Sequence, residues 1–445
     1  MSELPLGWTE TTIGTLCDLV NGKAFKPSDW SDTGLPIVRI QNLNRPDAKF
    51  NHYAGHVEER FLVEEGDLLF AWSGTPGTSF GAHIWDGPKA VLNQHIFNVR
   101  FDAETLDRAF FRYAINQTLD EQIAKAHGGV GLRHVTKGKF EETAIALPPL
   151  PEQRRIVAKI DSLTGKSRRA RDHLDHIPRL VEKYKQAVLA AAFRGDLTRE
   201  WRARRELPEP KIARLPELLA EPIRNGLSVL GSDTPPGVRS LRLSALRGGI
   251  VNLSDIRYLP IADSRANRFL LKTGDVLVSR GNGTRAFVGL AALVGPIEEP
   301  TIFPDTAFRL RLDGSLVRPH WLSHIWNAPP MRLQIEQAAK TTAGIWKIAQ
   351  YDLDRLELWL PSPSEQDEIV RRLDAAFVWI DRLTSEATSA RHLIDRLDQT
   401  ILAKAFRGEL VPQDPTDELA SVLLDRIRVE RGAAQKTRKG RRPAA

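Results

Sequence analysis

The sequence contains a single cysteine, Cys17, in 445 residues. No intrachain disulfide can form and no thiolate metal cluster can be assembled, which fits a reducing, cytoplasmic setting. Long apolar runs are also missing: stretches such as Phe287–Gly295 fall far short of the roughly 20 residues that a membrane helix needs. The opening Met1-Ser2-Glu3-Leu4-Pro5 has neither a basic n-region nor an apolar h-region, so no secretory signal is expected. The histidines show no His-Glu-x-x-His spacing, and His173 and His176 fall on a charged helix face. Gly165-Lys166-Ser167 imitates the end of a P-loop, but Ile160 stands where the first glycine is required. Gly281-Asn282-Gly283-Thr284-Arg285-Ala286 imitates a dinucleotide fingerprint, yet Phe287-Val288-Gly289 reads as strand or turn rather than the helix that must follow. Asn327-Ala328-Pro329-Pro330 is not the Asn-Pro-Pro-aromatic loop of an amino-methyltransferase, and no Ser/His/Asp set can be assigned. Phosphate, cofactor and metal signatures thus fail together, and a non-catalytic chain is expected.

The formal net charge is +7. A basic balance invites a nucleic-acid partner, but the charge is unevenly placed. Arg431–Ala445 holds Arg431, Lys436, Arg438, Lys439, Arg441 and Arg442 and no acid, so the rest of the chain is near neutrality. Any DNA-binding face on the body must be a local patch, and residues 411–445 read as a basic, disordered tail.

What the sequence does contain is a repeat. Glu152–Asp161 matches Glu365–Asp374 at five of ten positions, 213 residues apart. At the same offset Gln186–Thr198 (QAVLAAAFRGDLT) matches Gln399–Val411 (QTILAKAFRGELV) at eight of thirteen. Upstream the offset drifts: Gly66-Asp67-Leu68-Leu69-Phe70 matches Gly274-Asp275-Val276-Leu277-Val278 at 208, and Arg39-Ile40 matches Arg242-Leu243 at 203. Drift means insertions in loops, which surfaces tolerate. Constancy means an element whose length is restrained.

That element reads as a long helix. Ile369, Leu373, Ala376, Ile380, Leu383, Ala387, Ala390, Ile394, Leu397 and Ile401 follow a heptad seam. The first copy runs Ile156, Ile160, Leu163, Ser167, Ala170, Leu174, Ile177, Val181, Tyr184 and Val188, with Ser167 the exception. Each starts after a proline-rich stop and ends at Arg-Gly, where glycine can take a left-handed cap. From Glu152 to Gly195, and from Glu365 to Gly408, is 44 residues, or about 66 Å of helix. Pro178 should bend the first copy or break it briefly. One such helix cannot bury its seam alone, and an antiparallel pair within the chain solves this; packing on its own globular domain or on a partner chain remains open.

The expected architecture is α+β: two α/β globular domains separated by two long helices that form an antiparallel coiled coil, as a pseudo-twofold internal repeat. The segments are 1–148 (first domain), 149–198 (first helical spacer), 199–210 (linker), 211–360 (second domain), 361–410 (second spacer) and 411–445 (tail). Strands are expected over Leu35–Ile40, Asp67–Trp72, Ile96–Phe101, Asp275–Ser279, Ala307–Leu312 and Leu356–Leu360, and helices over Leu106–Ala126 and His320–Ala339. The Gly66-Asp67 and Gly274-Asp275 units, each followed by a glycine-rich turn, read as tight turns closing hairpins; such turns can also present amides to a phosphate.

The duplicated Leu/Pro-rich stop, Glu-Gln-x-x-Ile and Ala-Phe-Arg-Gly-[Asp/Glu]-Leu resemble the paired regions of type I restriction–modification specificity subunits. Leu6-Gly7-Trp8 and Gly66–Phe70 fit as well, whereas the second half lacks a clear Leu-Gly-Trp start. The resemblance implies a chain that reads a bipartite, asymmetric sequence in double-stranded DNA, one domain per half, with the helices setting the spacing. It implies two methyltransferase subunits acting on adenine N6 and two restriction subunits as partners, and no membrane. It implies no cofactor on this chain: S-adenosylmethionine, and ATP with Mg2+ where a restriction subunit is present, belong to the partners.

Base identity is read by polar side chains at groove edges. Candidate base or phosphate contacts are Arg39, Gln41, Asn42, Asn44, Gln94, His95, Arg133, His134, Lys137 and Lys139 in the first half. In the second they are Arg242, Arg280, Asn282, Arg285, Trp346 and Lys347. Phe193-Arg194-Gly195 and Phe406-Arg407-Gly408 read as helix ends and subunit-docking surface. Two other classes stay open: a fused methyltransferase or nuclease with unrecognised motifs, and a coiled-coil scaffold that binds only proteins.

Overall fold

The computed structural model describes residues 4–45, 47–74, 80–119, 133–342 and 344–440. The chain forms two compact units, Met1–His173 with Ala390–Ala445, and Leu174–Ser389. These cut across the segments read from sequence, because each unit takes one globular region together with part of both long helices.

In the first unit a four-stranded antiparallel sheet runs in the order Asp18–Asn21, Ile96–Arg100, Leu68–Ala71, Gly81–Ile84. A second sheet places Leu35–Val38 between antiparallel Asn51–Tyr53 and parallel Ala90–Leu92. Thr9–Thr12 pairs with Ala144–Leu147 just before the first long helix. The second unit repeats this plan. Its main sheet runs Leu219–Asn225, Ala307–Leu312, Val276–Ser279, Ala291–Leu293. Val238–Leu241 lies between antiparallel Ile256–Leu259 and parallel Thr301–Ile302, and Lys211–Arg214 pairs with Glu357–Leu360. The drifting offset therefore records loops of different length around one strand order.

The expected strands are present within a residue or two of their forecast ends. The expected helix over His320–Ala339 is two helices, Pro319–Trp326 and Pro329–Ala338, because Pro329 and Pro330 cannot continue the first. Of Leu106–Ala126, the helix Arg108–Gln117 is seen, while 120–126 lies outside the described residues. The Gly-Asp units are turns: Gly66 and Gly274 take φ of 92° and 90°, and Asp67 and Asp275 accept from the backbone of Glu64 and Lys272 at 3.0 and 2.8 Å.

Both long helices exist, Leu150–Phe193 and Pro363–Phe406, each of 44 residues. The first runs unbroken through Pro178, so of the two outcomes the proline allowed, a bend or a brief break, the break does not occur. In the first unit, Ile156 and Ile160 share a core with Ile401 and Ala405, and Arg171 pairs with Asp395 and Asp398 at 2.9 and 2.7 Å. In the second unit, Leu189 and Ala192 share a core with Ile369 and Leu373, and the Tyr184 ring lies 5.7 Å from Trp379. In each unit the start of one helix runs beside the end of the other, which is antiparallel packing. The seam is as expected with three corrections. Ser167 is buried rather than solvated. Tyr184 and Leu397 are exposed; near Leu397 the seam passes instead through half-buried Asp398, where Arg171 provides the partner that a buried carboxylate requires.

The repeated Glu-Gln pair fastens each helix to its domain. Gln153 accepts from the Asp107 backbone at 2.9 Å and donates to the Pro148 carbonyl at 2.9 Å. Gln366 accepts from the Arg318 backbone at 2.7 Å and donates to Pro361 at 2.9 Å. Asp107 and Arg318 are the N-cap residues of matching helices. The glutamates are equally buried but differently satisfied. Glu152 accepts from the Trp8 indole at 3.1 Å, and its burial raises the carboxyl above the usual range, with Trp8 opposing. Glu365 accepts from Thr198 at 2.6 Å and Arg202 at 2.8 Å. The missing Leu-Gly-Trp start is thereby replaced, and the expected linker 199–210 contains a helix, Arg199–Arg204, that performs this contact.

The expected disordered tail is also corrected. Ala420–Gly440 is a helix. Its Ala420, Leu423, Leu424 and Ile427 are buried in the first unit's core, because they recur at helical spacing in an otherwise polar run. Arg155 pairs with Asp417 at 2.7 Å, and Arg431 donates to the Gly14 carbonyl at 2.7 Å and to Asp18 at 2.6 Å. Residues 441–445 lie outside the described residues.

Gly195 and Gly408 end the long helices at φ of 73° and 72°. A Cβ on Gly195 would lie 2.2 Å from the Trp359 ring, and one on Gly408 would lie 2.4 Å from Pro5. Gly195→Ala and Gly408→Ala should each cost more than the roughly 1–2 kcal/mol of a left-handed non-glycine residue, while Arg194→Ala stays within about 0.5 kcal/mol. Urea midpoints measure this; equal midpoints for all three variants would refute the caps.

Candidate functional site

In the first unit, four candidates from separate segments converge. Arg39 precedes the short helix Ile40–Asn44, and Gln94 and His95 lie in the turn between Ala90–Leu92 and Ile96–Arg100. With Gln41, Phe25 and Trp30 they line one cleft of about 230 Å³. Arg39 donates to Asn51 at 3.0 Å, and its guanidinium sits 5.4 Å from the Trp30 ring centre. That leaves a planar donor fork held by an aromatic face, a preorganised form of arginine. Gln94 Nε2 and His95 Nε2 lie 3.4 Å apart. Trp72 stacks on Phe97 at 5.9 Å and lies 5.4 Å from His95. Amide, imidazole and guanidinium groups in one open cleft supply both donors and acceptors, the chemistry needed to read base edges.

Other first-half candidates do not join this cleft. Asn42 is buried: its Oδ1 accepts from the Arg39 backbone at 3.1 Å and its Nδ2 donates to Ala48 at 3.2 Å. It shapes the loop and borders a different cleft, with Leu43, His83 and Asn116. Asn44 is exposed at the end of the same helix. Lys137 donates to the Leu19 carbonyl at 3.0 Å and lies 3.7 Å from Glu141, and half-buried Lys139 shares its helix. Arg133–His134 forms a strand against Ser73–Gly74; the two side chains lie outside the described residues.

In the second unit, Arg280, Asn282, Arg285, Trp346 and Lys347 come together. Gly281–Asn282 pairs with Ile345–Lys347, which pairs in turn with Lys340–Thr342. The Arg285 guanidinium lies 4.9 Å from the Trp346 ring centre and donates to the Glu336 carbonyl at 2.6 Å. Arg280 lies 5.8 Å from the Phe308 ring. Asn282 accepts from the Thr284 backbone at 3.0 Å and borders a cleft of about 100 Å³ with Ser244 and Arg247. Lys347 is exposed. Arg242 stands apart: it is bound to Asp233, to the Ile256 carbonyl at 3.0 Å and to Asp255 at 3.6 Å, in an ion-pair cluster at the surface.

Among the helix-end residues, Phe193 and Phe406 pack into the cores of their units, Phe406 lying 5.6 Å from Phe110. Gly195 and Gly408 serve the caps. Arg194 and Arg407 are exposed and held by Asp196 and Glu409 at 2.8 Å each. Sequence reasoning missed the aromatic walls Phe25 and Trp30, and Trp72 beside His95. A tryptophan between Asp29 and Ser31 in a polar loop was the available signal.

Residues 5–173 match the family model described as the type I restriction modification DNA specificity domain. The chain is 30% identical over 459 residues to the type I restriction enzyme EcoKI specificity subunit of Escherichia coli strain K12, covering 97% of each. It is 26% identical to the StySPI specificity subunit of Salmonella potsdam, covering 99% of each. Among solved structures, the HsdS subunit from Thermoanaerobacter tengcongensis shares the fold, with a TM-score of 0.61 at 20% identity over 92% of this chain and 98% of that one.

The placement of Asn42 separates shape from reading. Asn42→Ala should lower stability by about 1–3 kcal/mol, because it strands the Arg39 N–H and the Ala48 carbonyl. Gln41→Ala, at an exposed position, should stay within about 0.5 kcal/mol. Equal denaturation midpoints for the two variants would show that Asn42 is not structural.

Proposed function

Since the chain belongs to the family of type I restriction enzyme specificity subunits, we propose that each of its units reads one component of a bipartite, asymmetric DNA target. The observation that carries this is the repetition of one strand plan with different polar side chains displayed on it: Arg39, Gln41, Gln94 and His95 in one unit, and Arg280, Asn282, Arg285 and Lys347 in the other. A shared scaffold with unlike side chains suits two different half-sites. Linking two readers makes the second contact intramolecular and raises the affinity without new contacts.

The chain acts with DNA and the other subunits of a restriction–modification complex. In the finer reading these are two methyltransferase subunits, which bring S-adenosylmethionine and modify adenine N6, and two restriction subunits, which bring ATP and Mg2+ chemistry. This chain contributes recognition and positioning and performs no chemical step. Exposed Leu180, Tyr184, Val378 and Trp379 in the second unit, and Leu393 and Leu397 in the first, lie on the long helices and suit docking of those partners. Arg194 and Arg407 add a charged rim. No helix among the described residues is long and apolar enough to cross a membrane, and the reading places the complex in the cytoplasm.

The 44-residue helices act as the ruler for the spacer between the half-sites. Single-molecule sequencing of methylated adenines, with and without this gene, should reveal a split asymmetric motif that vanishes on deletion. Inserting one heptad into the second helix should lengthen the spacer or abolish methylation. A methylome indifferent to deletion would overturn the reading; full activity at unaltered spacing in the insertion variant would overturn the ruler.

A further inference from the structure

The two reading surfaces can be superposed through their backbone bonds, without reference to side chains. Trp72 donates to the His95 carbonyl in the first unit, as Arg280 donates to the Thr306 carbonyl in the second, at 3.3 and 2.7 Å. Val135 donates to Trp72, as Ile348 donates to Arg280, at 3.1 and 3.0 Å. Asn42 donates to Arg39, as Ala245 donates to Arg242, at 2.8 and 3.1 Å. The bridge between Lys23 and Asn93 has its counterpart between Leu227 and Pro304. These four matches put Gln94 and His95 in register with Asp305 and Thr306. The second pair has no motif and no basic residue, and nothing in the sequence singles it out.

Asp305 is half-buried and Thr306 exposed. Among the described residues no hydrogen bond or ion pair engages the Asp305 carboxylate. Three other acids in the same unit are committed: Asp275 to Arg311 at 2.8 Å, Glu221 to Arg309 and Arg311 at 2.6 and 2.7 Å, and Asp255 to Ser244 at 2.5 Å. A carboxylate facing DNA is repelled by phosphates. It is favourable where it accepts from an amino group on a base edge; in the major groove cytosine N4 fits, because the adenine amino group lies beside the N7 acceptor, which repels a carboxylate.

We propose that Asp305, with Thr306 beside it, is a specificity-determining residue of the second unit and reads the exocyclic amino group of a cytosine in that unit's half-site. This rests on the functional reading above. It also gives a reason why the two units recognise different bases: one backbone position carries an amide and an imidazole in the first unit, and a carboxylate and a hydroxyl in the second.

The test uses the full chain co-expressed with its methyltransferase subunit, with methylated adenines mapped by single-molecule sequencing. Wild type should give a bipartite motif with a cytosine in one component. Asp305→Ala should relax that single position, lowering the preference for cytosine roughly tenfold or more, while the other component stays unchanged. Asp305→Asn should move the preference toward adenine, which a carboxamide can read. Gln94→Ala should alter only the other component. An unchanged motif in both Asp305 variants, or a loss of methylation with no change in the pattern that remains, would overturn the assignment. Absence of any bipartite motif in the wild type would instead overturn the functional reading itself.

Discussion

A buried carboxamide at the root of each long helix is the contact on which the rest depends. Gln153 and Gln366 each take a backbone N–H from the cap of a domain helix and return a donor to the carbonyl just before their own helix. Both are fully buried, so the bonds form in a medium where an unmet partner would cost about 1–3 kcal/mol. The link fixes the angle at which each helix leaves its domain. A helix with a loose root could not hold a reading surface at a defined place, however regular its seam.

Most of the architecture was legible in the sequence because helices and repeats leave periodic traces. Residues such as Ile369, Leu373 and Ile380 recur at heptad spacing and are buried, and the constant offset marked the element whose length matters. What escaped was set by tertiary contact. The C-terminal helix has four buried apolar positions among many charges, and net charge alone suggested disorder. Pro178 allowed either a bend or a brief break, and the helix continues through it without a break. Asp398 entered the seam because Arg171 was there to meet it, a fact no local pattern contains.

The site was less legible. Polar loop residues look alike in sequence whether they read a ligand or hold a loop, and Asn42 and Arg242 both make bonds that hold their loops. Those that converge, such as Gln94 with Arg39, are far apart in the chain and meet only through strand pairing. The internal repeat supplies a remedy, since each unit serves as a template for finding equivalent positions in the other.

The manner in which the chain closes has a practical consequence. The Ala420 N–H donates to the Gly7 carbonyl at 2.9 Å, and Pro5 lies against Gly408. The segment around Gly7 and the start of the C-terminal helix are therefore joined next to the Trp8–Glu152 hydrogen bond. Removing the chain from residue 411 onward would take Ala420, Leu423, Leu424 and Ile427 out of the core that they share with Ile160. A version shortened in this way should be expected to aggregate before its capacity to recognise DNA comes into question.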